Sequence, residues 1–237
     1  MKKRYERNRE EKKRSSMKKR IVTCVLVWLA FAAGVGAQQK FQQELAVGGS
    51  AGMNFSSLSF VPKVQQGMKT GFAAGATLRW ITEKNLGLQA ELNFTQQGWK
   101  ESFEEQPQYE YERTLNYVEL PFLTHIYFGS RRVHVFVNLG PKIGYLLSEK
   151  TKSNLGEAAP NKNNAQHDMP VEKKFDWGLC GGPGLEIRTG AGSFLVEGRY
   201  YYALGDIYGN QKKDPFPKSA SQVISVKVTY LFPLWGK

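Results

Sequence analysis

One stretch constrains the fold more than any other. From Asn116 to Leu147 the chain runs NYVELPFLTHIYFGSRRVHVFVNLGPKIGYLL, two alternating segments joined by the turn Gly129–Ser130–Arg131–Arg132. Successive side chains of a strand point to opposite faces. In the first segment Val118, Leu120, Phe122, Thr124, Ile126 and Phe128 therefore share one face. In the second, Val133, Val135, Val137, Leu139, Pro141, Ile143, Tyr145 and Leu147 do the same. These faces hold no charge, whereas the opposite faces hold Glu119 and Lys142. Strands of soluble domains average about 5–6 residues, while one that crosses an outer membrane needs roughly 9–11. Segments of this length predict a closed barrel with lipid outside and a polar lumen inside.

Six further alternating segments bring the count to eight. Their apolar faces run Leu45–Phe55, Phe72–Trp80, Leu86–Phe94, Phe175–Ile187, Phe194–Tyr202 and Ile224–Phe232. The joints alternate in length. Thr82–Asn85, Gly129–Arg132 and Gly190–Gly192 are tight turns, and Ser57–Met68, Trp99–Leu115, Glu149–Lys174 and Asp206–Ser219 are long and polar. A soluble sandwich has no reason to keep that alternation. The sequence therefore predicts an all-β, eight-stranded antiparallel transmembrane β-barrel with short periplasmic turns and long extracellular loops.

The register carries its own check. Opposite the apolar faces fall Arg79, Glu91, Glu119, Lys142, Glu186, Arg188, Glu197, Arg199 and Lys227. A one-residue slip would turn all nine into lipid, where each base at mid-bilayer costs about 2–4 kcal/mol. Inside a narrow barrel, five bases and four acids are expected to pair into a structural lumen charge network. Pro121, Pro141 and Pro183 fall within these strands, where each removes a ladder donor, so bulges or local bends are expected there, helped by Gly140, Gly144, Gly181, Gly182 and Gly184. The alternative is that the strands end sooner.

Residues 1–37 differ from the rest. A Lys- and Arg-rich stretch is followed by the apolar Ile21–Phe31 and then by small residues ending in Ala37, the pattern of a secretory signal peptide cleaved after Ala37. The apolar run is too short for a transmembrane helix. Met1 and Met17 both suit as starts. Residues 38–237 then form one barrel domain. The whole chain carries a net charge of +12; the leader holds 11 Lys and Arg against 3 acids, and removing its +8 leaves +4. That removes the case for a nucleic-acid partner. With Cys24 in the leader, Cys180 is alone and no internal disulfide is possible; a small side chain facing the lumen accounts for it.

Chemistry finds little support. His125 and His134 flank a periplasmic turn, and His167–Asp168 sits in a loop with no nucleophile beside it. No residues show metal-ligand spacing, and Gly181–Gly184 lacks the helix and Lys of a phosphate cradle, so no enzyme, metal or cofactor is expected. Trp80, Trp177, Tyr145, Tyr200, Tyr202, Tyr230 and Phe232 suit interfacial girdles. The acidic, Tyr-rich Phe103–Glu112 and the Lys- and Asn-rich Lys150–Lys174 are candidate docking loops.

The segments Asn116–Leu123 (NYVELPFL), Gly140–Leu147 (GPKIGYLL), Phe175–Gly178, Glu197–Tyr202 and the ending Tyr230–Phe232 resemble the PorT-type outer-membrane barrels of Bacteroidetes over the whole mature chain. The resemblance implies a non-enzymatic part in protein export through the type IX secretion system, including export of gingipain-type proteases with a C-terminal sorting domain. It implies outer-membrane lipid and other secretion-system components as partners, and it carries no catalytic residues. The continuation past Phe232, Pro233–Lys237, departs from barrels that end on an aromatic residue. The alternatives are an envelope-structural barrel or small-solute channel, and an enzyme that modifies lipid A.

Overall fold

The computed structural model describes residues 41–101, 103, 106–156, 165–167, 169–209 and 214–236. The signal-peptide and start-site readings lie outside these residues. The chain from Gln42 to Lys237 is one compact unit. Eight long strands appear in it: β1 (Glu44–Val61), β3 (Lys69–Glu83), β4 (Leu86–Glu101), β5 (Tyr111–Gly129), β6 (Val133–Ser153), β7 (Phe175–Arg188), β8 (Ser193–Ala203) and β9 (Lys218–Trp235). The two-residue β2 (Gln66–Gly67) adds to the outer end of β4. All pairings are antiparallel between neighbours, and β1 also pairs with β9 from Leu45↔Trp235 to Val61↔Lys218, which closes the ring.

The alternation sets the two faces. Leu139, Phe122, Leu179 and Val228 are among the outward side chains that remain exposed, while the other face of each strand is buried. On β7 the outward apolar run from Phe175 to Ile187, at about 3.3 Å per residue and a tilt near 40°, covers roughly 30 Å, enough to span a hydrocarbon layer. Trp80, Tyr230 and Phe232 stay exposed toward the tight-turn end of this belt, and Tyr145, Trp177 and Tyr200 toward the long-loop end. Among the described residues no helix is long and apolar enough to cross a membrane.

Two expectations are corrected. First, the prolines make no bulge and end no strand. Pairing of β4 with β5 passes from Ala90↔Phe122 to Asn93↔Glu119 in unchanged register around Pro121. The β5–β6 ladder passes Pro141 in the same way, from Pro121↔Lys142 to Thr124↔Leu139, and β7–β8 passes Pro183 from Gly181↔Tyr200 to Gly184↔Glu197. Each proline interrupts the ladder on one side only, and the neighbouring strand holds the register. Register shifts fall instead at Leu45/Ala46, Ile81/Glu83 and Asn116/Tyr117. Second, the strands outrun the apolar pattern: β1 reaches Val61, β4 Glu101 and β6 Ser153, and β5 begins at Tyr111. The lipid imposes alternation only where it touches the wall; beyond it, strand pairing alone continues the sheet.

Glycine has a packing role in β7. Phe136 of β6 pairs with Gly184, and a Cβ on Gly184 would stand 2.2 Å from the Phe136 ring, so the ring lies flat over glycine inside the ring of strands.

Candidate functional site

The lumen is the site that the fold constructs, and its groups lie in three tiers. All nine charged positions singled out above fall on the inner face; eight are buried and Arg188 is partly exposed. At the tight-turn end Arg79 donates two hydrogen bonds to Glu186, at 2.9 and 3.0 Å. Arg188 bridges Glu186 and Glu44, at 3.0 and 3.1 Å, with its guanidinium 5.7 Å from the Tyr127 ring centre. His125 stacks on Tyr127 and meets Phe136 at a tilt, and its Nδ1 lies 2.8 Å from Asn138 Oδ1.

Asn138 links this tier to the next by donating to Glu197 at 3.1 Å. In the middle tier Glu91 accepts five hydrogen bonds: two from Arg199, both 2.9 Å, and one each from Lys227, Gln89 and Asn93, at 2.7, 2.7 and 2.8 Å. Arg199 also donates to Glu197, at 2.8 and 3.0 Å. In the third tier the Lys142 ammonium binds Glu119 and sits 3.4 Å over the Tyr201 ring, whose hydroxyl donates to Asp176 at 2.8 Å. The nine residues therefore form separate groups, with Asn138 between the first two, and not one continuous cluster. Charge-assisted, largely bidentate bonds of this kind fix side chains across the lumen from β3 to β7 and from β4 to β8.

The long-loop end is filled by apolar packing. Phe60, Trp99, Tyr111, Tyr117, Tyr208 and Phe216 are buried together with Leu58, Leu115, Leu146 and Val171. The Phe60 ring meets Trp99, Tyr208 and Phe216 at centroid distances of 5.5, 6.3 and 5.0 Å. Arg113 holds the segment after β6 in place, donating to the carbonyls of Gln166 and Met169 and to Glu149 at 3.1, 2.6 and 2.7 Å. Its guanidinium lies 5.7 Å from the Trp99 ring centre. Burial pushes the Tyr208 phenol above its ordinary pKa, so its hydroxyl stays protonated within this cap.

The loops foreseen as docking surfaces are partly used in this cap. Phe103, Tyr111, Leu155 and Val171 are buried, whereas Glu110 stays outside and binds Lys100 and Lys152 at 3.2 and 3.0 Å. His167 lies 3.0 Å from Glu101 and stacks on Tyr111 at 4.2 Å; Asp168 lies outside the described residues. Cys180 is buried on the lumen side. Among the described residues no three His, Cys, Asp or Glu side chains gather as a metal site. Further charged groups lie beyond the nine expected positions: Glu44, Asp176 and the Arg113–Glu149 pair, at 2.7 Å. Glu44, Asp176 and Arg113 continue the inward parity of Ala46, Cys180 and Glu119, so extending each strand outward finds them.

Residues 37–209 match the family described as outer membrane protein beta-barrel domain. No curated protein matches the chain. Among solved structures, OprG from Pseudomonas aeruginosa is 14% identical with a TM-score of 0.49, covering 82% of this chain and 97% of that one. Ail, the attachment invasion locus protein of Yersinia pestis, is 16% identical with a TM-score of 0.42, covering 80% and 99%. The outer membrane enzyme PagL is 11% identical with a TM-score of 0.40, covering 79% and 97%.

Proposed function

The chain belongs to the outer-membrane β-barrel domain family, and from that premise we propose that it is a non-enzymatic barrel required for protein export through the type IX secretion system. Residues 1–37 would direct it across the inner membrane and be removed after Ala37. In this reading the barrel is a scaffold. It anchors in outer-membrane lipid through its apolar belt and meets other secretion components through its rims.

The filled lumen is the observation that carries the scaffold reading. Paired charges occupy the middle and an aromatic cap closes the long-loop end. An eight-stranded ring has room for side chains or one small ligand at most, far less than a folded cargo. The charged groups serve structure in this view, because the middle-tier carboxylates Glu91 and Glu197 already accept five and three hydrogen bonds. The same filling argues against the solute-channel alternative, and the resemblance of the NYVELPFL and GPKIGYLL segments to the PorT-type barrels supports the secretion role.

The test is deletion of the gene in its host, followed by assays of extracellular and surface protease activity and of uncleaved precursors in the periplasm. Loss of activity with precursor accumulation is expected. Unchanged secretion would leave an envelope-structural barrel, and a changed lipid A mass would reveal an enzyme instead.

A further inference from the structure

The inner face of β4 presents polar atoms that no group among the described residues satisfies. Asn93 Oδ1, Thr95 Oγ1 and both amide atoms of Gln97 lack hydrogen-bond partners, and all three residues are more than nine-tenths buried. They are consecutive inward positions of one strand. An unpaired buried polar group forfeits its hydration without return, so a run of them within a single strand calls for a partner.

The same residues border a cavity. It has room of about 20 Å³ for water and is also lined by Glu119, Lys142, Cys180 and Arg199. A water molecule needs about 10–15 Å³ by this measure and two to four polar neighbours. We propose that this cavity is a binding site for resident water, with at least one molecule held between Gln97 and Thr95 of β4 and the Glu119–Lys142 pair.

Chemistry selects water over other small occupants. The Gln97 carboxamide offers an unpartnered donor and an unpartnered acceptor, and water answers both. A cation would answer only the oxygens and would stand beside Lys142, Arg199 and Lys227; an anion would answer only the donor and face Glu119. An apolar occupant leaves every orphan atom as it was. The bound water lies between the Glu119–Lys142 pair and the Arg199 group, giving the two tiers a hydrogen-bonded contact that their side chains do not make directly.

The test uses the folded, ¹⁵N-labelled barrel in lipid nanodiscs and records water-selected NOE and ROE transfer to the Gln97 side-chain amide. Cross-peaks of opposite sign in the two spectra, which mark a dipolar contact and not proton exchange, are expected. Gln97→Met, which leaves the water without its Gln97 partners, should lower the urea unfolding midpoint. Absence of the cross-peak in the unaltered protein, or a Gln97→Met variant with a raised midpoint, would mean a dry cavity and overturn the proposal. Displacement of the water signal by increasing sodium chloride, with Gln97 amide shifts that saturate, would overturn it in favour of a cation.

Discussion

Glu91 shows how much one residue can hold in this lumen. Its carboxylate joins β4 to β8 and β9 through Arg199 and Lys227, so Glu91→Gln leaves the buried Lys227 without its counter-charge and Arg199 with Glu197 alone. Breaking a buried pair by removing one partner costs about 3–5 kcal/mol, and urea unfolding from lipid vesicles should show a loss of that order. At the rim the opposite holds. Lys152 and Lys100 hydrogen-bond the exposed Glu110 and draw its pKa below the ordinary glutamate value. A depressed carboxylate pKa adds stability above the unfolded-state value, near 4.3, and that increment fades as pH falls through the folded value. NMR titration should place the Glu110 midpoint below the unfolded-state value, and Glu110→Gln should lower the unfolding midpoint far less than Glu91→Gln does. Inward parity made the nine charged positions legible in the sequence. The pairing of Arg199 with Glu91 across the lumen was not, because it depends on which strands face each other once the ring closes.

At the level of the strand, depth along the wall decides what a substitution does. Leu139 lies midway along the outward face of β6, and Val133 begins the strand beside the tight turn. Leu139→Arg should cost about 2–4 kcal/mol and Val133→Arg about 0–1 kcal/mol in vesicle unfolding; equal costs would contradict the assigned belt. The belt was the most legible part of the sequence, since lipid imposes an alternation that any reader of Val133–Leu147 can find. Strand ends were less so. Ser148–Ser153 and Trp99–Lys100 lie in strands without the outward apolar pattern, because their pairing with β5 stabilises them with no lipid to satisfy. The prolines misled for a related reason. Ladder donors lost on one side of Pro121, Pro141 and Pro183 do not change a register that the opposite neighbour already fixes.

As a whole, the molecule is a closed wall with a packed interior. The unboiled protein should run on a gel at a different apparent size from the boiled one and should float with outer membranes. The cap is separable from the wall: Arg113→Ala removes the donor to Gln166 and Met169, so limited proteolysis should cut the segment between β6 and β7 faster while the heat-modifiable band persists. That cap escaped the sequence analysis because Phe60, Trp99, Tyr208 and Phe216 come from three separate loop-end regions and meet only in three dimensions. The seam between β1 and β9 also bears on biogenesis. Its long ladder joins the first strand to the last, so β1 keeps an unpaired edge in any piece of the chain that lacks residues 218–235. No truncated intermediate can complete the cylinder.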